Sequence, residues 1–222
     1  MFVACWSVKG GSGTTVVSAA LALSVAATGR DTLLVDLGGD LPAALGIPES
    51  EGPGLADWLS AGADVPGDAL TRLEVDAGPN LALLPAGGAM PDAARRGEEL
   101  AALLAVDGRV VVADCGSLPS PSATSMAVAA GAGLSLLVVR PCYLALRRAL
   151  HAPVEASGVV LVGEPQRALQ QQDVADVLGL RVRAAIPWKP AVATAIDAGL
   201  LGRRLPSPLE RSLRGLVETV AA

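Results

Sequence analysis

Short apolar runs without polar alternation recur along the chain, at residues 2–6, 32–35, 81–84, 110–113, 134–139, 159–162 and 182–186. A strand with one wet face would alternate, so these runs predict strands buried on both faces. Between most of them lie stretches of helical period or helical composition, at 15–27, 91–105, 122–130, 143–151, 171–178 and 190–198. Strand and helix in turn predict an α/β fold, a doubly wound, mainly parallel β-sheet flanked by helices on both faces. The last segment sets Leu209, Leu213, Leu216, Val217 and Val220 on one stripe, which predicts a helix packed back on the sheet. Residues 38–79 break the rhythm with Gly, Pro and Asp, with short helices expected around 55–60 and 68–73. This stretch is the candidate for a mobile or partner-facing insertion. No linker interrupts the pattern, so residues 1–222 read as a single domain.

Composition narrows the function classes. Of 222 residues, 51% are hydrophobic but only 2% aromatic, so the core is built on Leu, Val and Ala. A chain of this size buries roughly 70% of its unfolded surface and needs neither disulfides nor a structural metal. The formal charge of −5 argues against a general nucleic-acid coat protein and leaves DNA binding only to a local basic patch. Cys5, Cys115 and Cys142 form no CxxC pair, which suits a reducing compartment. The uncharged stretches 10–28 and 115–139 are broken by glycines, prolines and serines, so neither supplies ~20 consecutive apolar residues for a membrane span. Residues 2–8 make a poor signal-peptide leader, and the chain is expected to start at Met1 and to stay in the cytoplasm.

The chemistry concentrates where the first strand meets the first helix, in KGGSGTT, residues 9–15. Glycines there let consecutive N–H groups converge on an anion, and the helix N-terminus adds partial positive charge. Lys9 is one of two lysines in a chain with 15 arginines, and it stands at the entrance of the loop. The strict GxxxxGK[ST] pattern is not met, because Val8 occupies the first glycine and Thr14 the lysine.

KGGSGTT resembles instead the KGGxGKT loop of the ParA/MinD family, dimerising P-loop ATPases with a deviant Walker A motif and a signature lysine at the loop's start. LLVDLGGD (33–40), VVADCGSLPS (111–120 with Val110), RPCYLALRR (140–148) and IPWKPAVATAIDAGLL (186–201) follow in the family's order, so the resemblance spans nearly the whole chain. It implies a P-loop NTPase-like fold that binds ATP or ADP with Mg²⁺. Gly10, Gly11, Ser12 and Gly13 would hold phosphate together with Thr14 and Thr15, whose hydroxyl would also meet Mg²⁺. Lys9 would reach across a homodimer to the partner's nucleotide. Asp36 matches the first acid of the family's second motif, Asp114 the Walker B acid that holds Mg²⁺ through water, and Pro187 lies in the loop that contacts the base.

Two departures bear on catalysis. Thr14 replaces the lysine that bridges the β and γ phosphates, and Gly38 replaces the second DxD acid, which orients the attacking water. Each loss is expected to cost on the order of a hundredfold in phosphoryl transfer. Asp40, two residues on, is the candidate substitute, so Asp36 and Asp40 form the catalytic set. The TadZ/CpaE group, relatives that organise pili, carries similarly degraded loops. The expected function is that of a cytoplasmic spatial organiser, of the septum-site, pilus-positioning or DNA-partition type, acting as a scaffold or slow nucleotide-dependent dimer switch with an unidentified protein partner. An active ATPase switch is the first alternative.

An NAD(P)-dependent oxidoreductase is the second, because Gly11, Gly13 and Val16 align with GxGxxG and Asp36 follows about 20 residues later. It leaves Lys9 without a role. Cys115 and Cys142 read as small packed residues rather than nucleophiles, and the Arg pairs at 95/96, 147/148 and 203/204 as solvated unless they converge in space. The last helix lacks aromatics and net positive charge, so no membrane anchor is evident.

Overall fold

The structure, a computed structural model, describes residues 1–48, 52–62, 65–118 and 122–222. In chain order the elements are β1 (Phe2–Ser7), α1 (Thr14–Ala26), β2 (Thr32–Asp36), α2 (Leu41–Leu45) and α3 (Leu55–Ser60). Two 3-10 turns (Gly67–Ala69 and Thr71–Leu73) lead to β3 (Val75–Gly78), β4 (Leu81–Leu84), α4 (Ala94–Ala105), β5 (Val110–Ser117) and α5 (Ala123–Gly131). Then follow β6 (Leu134–Val139), α6 (Tyr143–Ala149), β7 (Gly158–Val162), α7 (Gln171–Leu178), β8 (Val182–Ile186), α8 (Pro190–Asp197) and α9 (Ser207–Ala221).

The strands form one sheet in the order β3-β4-β2-β5-β1-β6-β7-β8. Every neighbouring pair is parallel except β3 with β4. The all-apolar runs are indeed strands. β3 is the addition to the expected set: a short antiparallel edge strand, turned back through Pro79 and Asn80, the latter at φ 57. Its sequence, Val-Asp-Ala-Gly, carries no apolar run, because an edge strand is not buried on both faces.

Alternate residues of each strand feed two cores. Phe2, Ala4 and Trp6 of β1 join Leu33, Trp58, Leu100, Val111 and Leu137 on one face. Val3 and Cys5 join Val17, Leu21, Leu34, Val112 and Leu213 on the other. Helix α1 is buried almost all round, from Val17 to Ala26, because the sheet lies on one side and α9 on the other. That explains an Ala- and Leu-rich helix with no polar face. The stripe of Leu209, Leu213, Leu216, Val217 and Val220 is buried as its period predicts. Trp6, 1% exposed, donates its Nε1–H to Ser135 Oγ at 2.9 Å, which satisfies the single polar atom it takes into the core.

The described residues within 38–79 are less detached than the composition of that stretch suggests. Leu41 and Leu45 of α2 enter one core, and Leu55, Trp58 and Leu59 of α3 enter the other. The N-terminus of α3 docks on the chain leaving β4, with Leu55 N–H donating to the Pro85 carbonyl and Ala56 N–H to that of Ala86, both at 2.9 Å. This contact fixes Gly54: a Cβ there would lie 2.5 Å from Gly87 Cα and 2.6 Å from its nitrogen, and backbone cannot step aside. Gly54→Ala is therefore expected to destabilise the protein by about 1–3 kcal/mol. Urea unfolding should show a lower midpoint at unchanged slope.

Among the described residues no helix is long and apolar enough to cross a membrane.

Candidate functional site

Parallel strands present their C-terminal ends on one edge of the sheet, and ligands gather where the chain leaves in opposite directions. Here that point is β1, flanked by β5 on one side and β6 on the other. The glycine loop leaves its end and enters α1. Ser12 Oγ donates to the Lys9 carbonyl at 2.7 Å, and Ser7 Oγ donates to the same oxygen at 3.1 Å, so the loop is braced from both ends. Gly11 at φ 74 and Gly13 at φ 94 are left-handed, conformations that glycine adopts without the Cβ penalty. Gly13 caps α1, its carbonyl accepting from Val17 N–H at 3.0 Å. An alternating left- and right-handed backbone at a helix start makes a concave nest of N–H donors. A Cβ at Gly10 or Gly11 would meet nothing within 4 Å, which leaves the nest open on its outer side.

The loop borders a cleft of about 330 Å³. Gly10 to Thr15 line it, with Gly38, Asp40, Gly116 and Ser117. Beneath lie two carboxylates in register, Asp36 at the end of β2 and Asp114 on β5. Their environments differ. Asp36 Oδ1 accepts from Gly38 N–H at 3.1 Å and Gly39 N–H at 2.6 Å, and its Oδ2 from Leu41 N–H at 3.2 Å. It holds the turn that carries Asp40 to the cleft, and it lines a separate hollow with Gly39 and Pro85. Burial pushes its carboxyl up to about 6 against those hydrogen bonds.

Asp114 is fully buried. Its Oδ1 accepts from Gly116 N–H at 3.1 Å, whereas its Oδ2 has no hydrogen-bond partner. Burial pushes this carboxyl up to about 7, tempered by the neighbouring Thr15 hydroxyl and reinforced by the charge of Asp36. A buried acceptor without a donor is costly unless a ligand completes it. A Cβ on Gly38 would lie 3.3 Å from that same Oδ2, so a side chain at 38 would require the Asp114 carboxylate to give by a few tenths of an ångström. A second acid there would bring a like charge against Asp114.

Among the described residues no cluster of three or more His, Cys, Asp or Glu could hold a metal by itself. One buried carboxylate and one hydroxyl beside an open phosphate nest are, however, the donor set Mg²⁺ uses when the nucleotide supplies its other oxygens. The residues fit that group.

Lys9 and Pro187 do not line this cleft. Lys9 is exposed at its mouth, close to Glu164, whose carboxyl is held below the usual range chiefly by Arg167 and also by Arg140 and Lys9. Pro187 lines an adjoining pocket of about 140 Å³, mostly apolar, which shares Gly13 with the loop and also includes Arg140 and Trp188. Those two residues stand in quoted motifs, yet no spacing marks them as pocket residues. Ser7, the loop's second brace, carries no sequence signal either.

Arg95 and Arg96 pair with Glu99, and Arg96 also lies 4.0 Å over the Trp58 ring. The pairs 147/148 and 203/204 line two different surface depressions, the latter with Arg214. They form no common patch. All three cysteines are free, and burial pushes the Cys5 thiol up to about 12 and raises Cys115, so neither is a poised nucleophile. The last two residues of VVADCGSLPS lie outside the described residues.

The strand order separates β1 from β2 by β5, whereas the dinucleotide-binding order makes them neighbours. A model of the CobQ/CobB/MinD/ParA nucleotide binding domain matches residues 3–201. Among curated proteins none matches. Solved structures share the fold. The septum site-determining protein MinD of Pyrococcus horikoshii OT3, complexed with Mg-ADP, is 21% identical over 98% of this chain and 94% of its own, with a TM-score of 0.78. MinD in the MinC:MinD cell division complex of Aquifex aeolicus is 20% identical over 99% and 95%, with a TM-score of 0.80. A ParA family ATPase of Chlorobium tepidum TLS is 19% identical over 97% and 96%, with a TM-score of 0.77.

Proposed function

The chain belongs to the CobQ/CobB/MinD/ParA family of nucleotide binding domains, and on that premise we propose that it is a ParA/MinD-like spatial organiser whose nucleotide site has lost most of its hydrolytic parts. The observation that carries this reading is the cleft itself. An open glycine nest lines it together with Thr14 and Gly38, and the unpartnered Asp114 Oδ2 lies buried behind them, 3.3 Å from where a Cβ on Gly38 would stand. The binding features remain and two charge-handling side chains are missing.

In this reading the N–H groups of Gly10 to Thr15 hold the phosphates of ATP or ADP, the Pyrococcus horikoshii relative with Mg-ADP being the precedent. Thr15 and Asp114 orient Mg²⁺, which when bound neutralises phosphate charge. Asp36 acts by positioning, since its two oxygens are engaged by three backbone N–H groups. Lys9, exposed at the mouth, is placed to meet a second copy, so nucleotide favours a homodimer. The output is a docked protein partner, for which the MinC:MinD complex is the precedent. Septum placement, pilus positioning and DNA partition are the candidate tasks, and DNA has the least support, because the paired arginines do not converge.

One observation favours the alternative of a working switch: Asp40 lines the same cleft as the loop. Light scattering and phosphate release separate the two. The degenerate reading expects Mg-ATP to convert monomer to dimer, with turnover no faster than about 10⁻³ per second, the order of an unassisted P-loop GTPase. Faster turnover that Asp40→Ala abolishes would establish the switch. A monomer under every nucleotide, with no heat of binding, would remove both.

A further inference from the structure

The pocket beside the loop is too small for a whole nucleotide, at about 140 Å³ against roughly 300–1,000 Å³ for a drug-sized ligand. It is large enough for one planar ring system, and its position next to Gly13 puts such a ring within reach of phosphates on the loop. Trp188 forms part of its rim and is 50% exposed, while Trp6 and Trp58 are 1% and 4% exposed. A half-exposed indole over an apolar hollow is a stacking platform.

The polar side chains of the lining are Arg140, Lys189 and Trp188, and each of them only donates hydrogen bonds. Two carbonyls of the adjoining loop are already taken: Ile186 accepts from Gly163 N–H at 2.7 Å and Lys189 from Val192 N–H at 3.0 Å. The one acidic partner of Arg140 among the described residues is distant and shared. The Arg140 Nε is buried without a partner, and that carboxylate, Glu164, is 4.0 Å away and engaged by Arg167 at 2.7 Å. The side chain is 40% exposed, so its terminal N–H groups remain open to two adjacent acceptors in the guanidinium plane.

We infer, on the premise that the loop holds a nucleotide as proposed above, that Arg140 and Trp188 make this pocket select guanine over adenine. Guanine offers O6 and N7 to a guanidinium as a bidentate pair, whereas adenine places its N6 amino donor at the same edge. Trp188 stacks on either ring, so it supplies affinity and Arg140 supplies the choice. The relatives' adenine nucleotide shares the phosphate site, and only the base is replaced.

The full-length chain is titrated with Mg-GDP, Mg-ADP and Mg-pyrophosphate, read by calorimetry and by quenching of Trp188 emission. GDP is expected to bind ten- to a hundredfold tighter than ADP, the span set by one bidentate contact of roughly 1–3 kcal/mol. Arg140→Ala should level the two. Arg140→Gln, which both donates and accepts, should turn the preference toward ADP, with pyrophosphate affinity unchanged as the sign that the cleft still folds. Equal or tighter binding of ADP by the native protein, or a GDP preference that survives in Arg140→Gln, overturns the base assignment and leaves the nucleotide site standing. No response to either nucleotide or to pyrophosphate overturns both.

Discussion

Thr14→Lys is expected to bind Mg-nucleotide on the order of a hundredfold more tightly than the native chain, the span that one preorganised charge-bearing donor commands at a phosphate. Thr14 opens α1, lines the cleft and is only 6% exposed. The native site sets the carboxylates of Asp36, Asp40 and Asp114 near the phosphate nest, and among the described residues no Lys or Arg lines the cleft itself. Its field is poor for a bare polyphosphate, so native binding should depend strictly on Mg²⁺, and binding to the variant much less so. Calorimetry with and without the metal reads both effects. A variant that binds no better than the native chain would mean that the loop is not the phosphate site.

Asp114→Asn should produce two effects of opposite sign, a more stable protein and a lost metal-dependent ligand. Burial raises Asp114 to about 7 and Asp36 to about 6 from an ordinary value of 3.8. Between pH 4 and 7 the folded chain therefore holds protons that the unfolded chain has released. Stability contributed by the neutral forms is full below that window and declines as pH rises through it. At pH 8 both groups are charged at a cost of a few kcal/mol in order of magnitude.

An amide at 114 removes the larger part of that cost. The ligand-free variant should then melt several degrees above the native chain at pH 8, given roughly 2–4 °C per kcal/mol at this size, and should differ little at pH 5. It should also lose the stabilisation that Mg-nucleotide gives the native protein. A native melting temperature that stays flat from pH 5 to 8 would show that Asp114 carries no strain. Such a trade of stability for a poised ligand atom is common at functional sites.

The glycine loop, Asp36 at the end of β2 and Asp114 on β5 were all legible in the sequence. The strands were too, because a four-residue apolar run and a helical stripe are properties of near neighbours. The same holds for the last helix, whose five stripe residues are the ones buried. The edge strand Val75–Gly78 escaped because half-exposed residues leave no apolar run. Its antiparallel pairing comes from a turn at Asn80 rather than from any pattern.

The site itself was decided by tertiary structure. Strand order inserts β5 between β1 and β2, and only that crossing sets Asp114 in register with Asp36, residues 78 positions apart in the chain. The resemblance implies an acid at position 38, where this sequence has glycine. Only the packed fold shows that a Cβ there would lie 3.3 Å from an unpartnered oxygen of Asp114. Arg140 and Trp188 share one pocket wall for the same reason, having been brought together by β6 and β8 across β7. Periodicity records which residues are buried, because burial repeats along each element. Which buried groups face one another, and which are left without a partner, depends on the order in which the strands assemble.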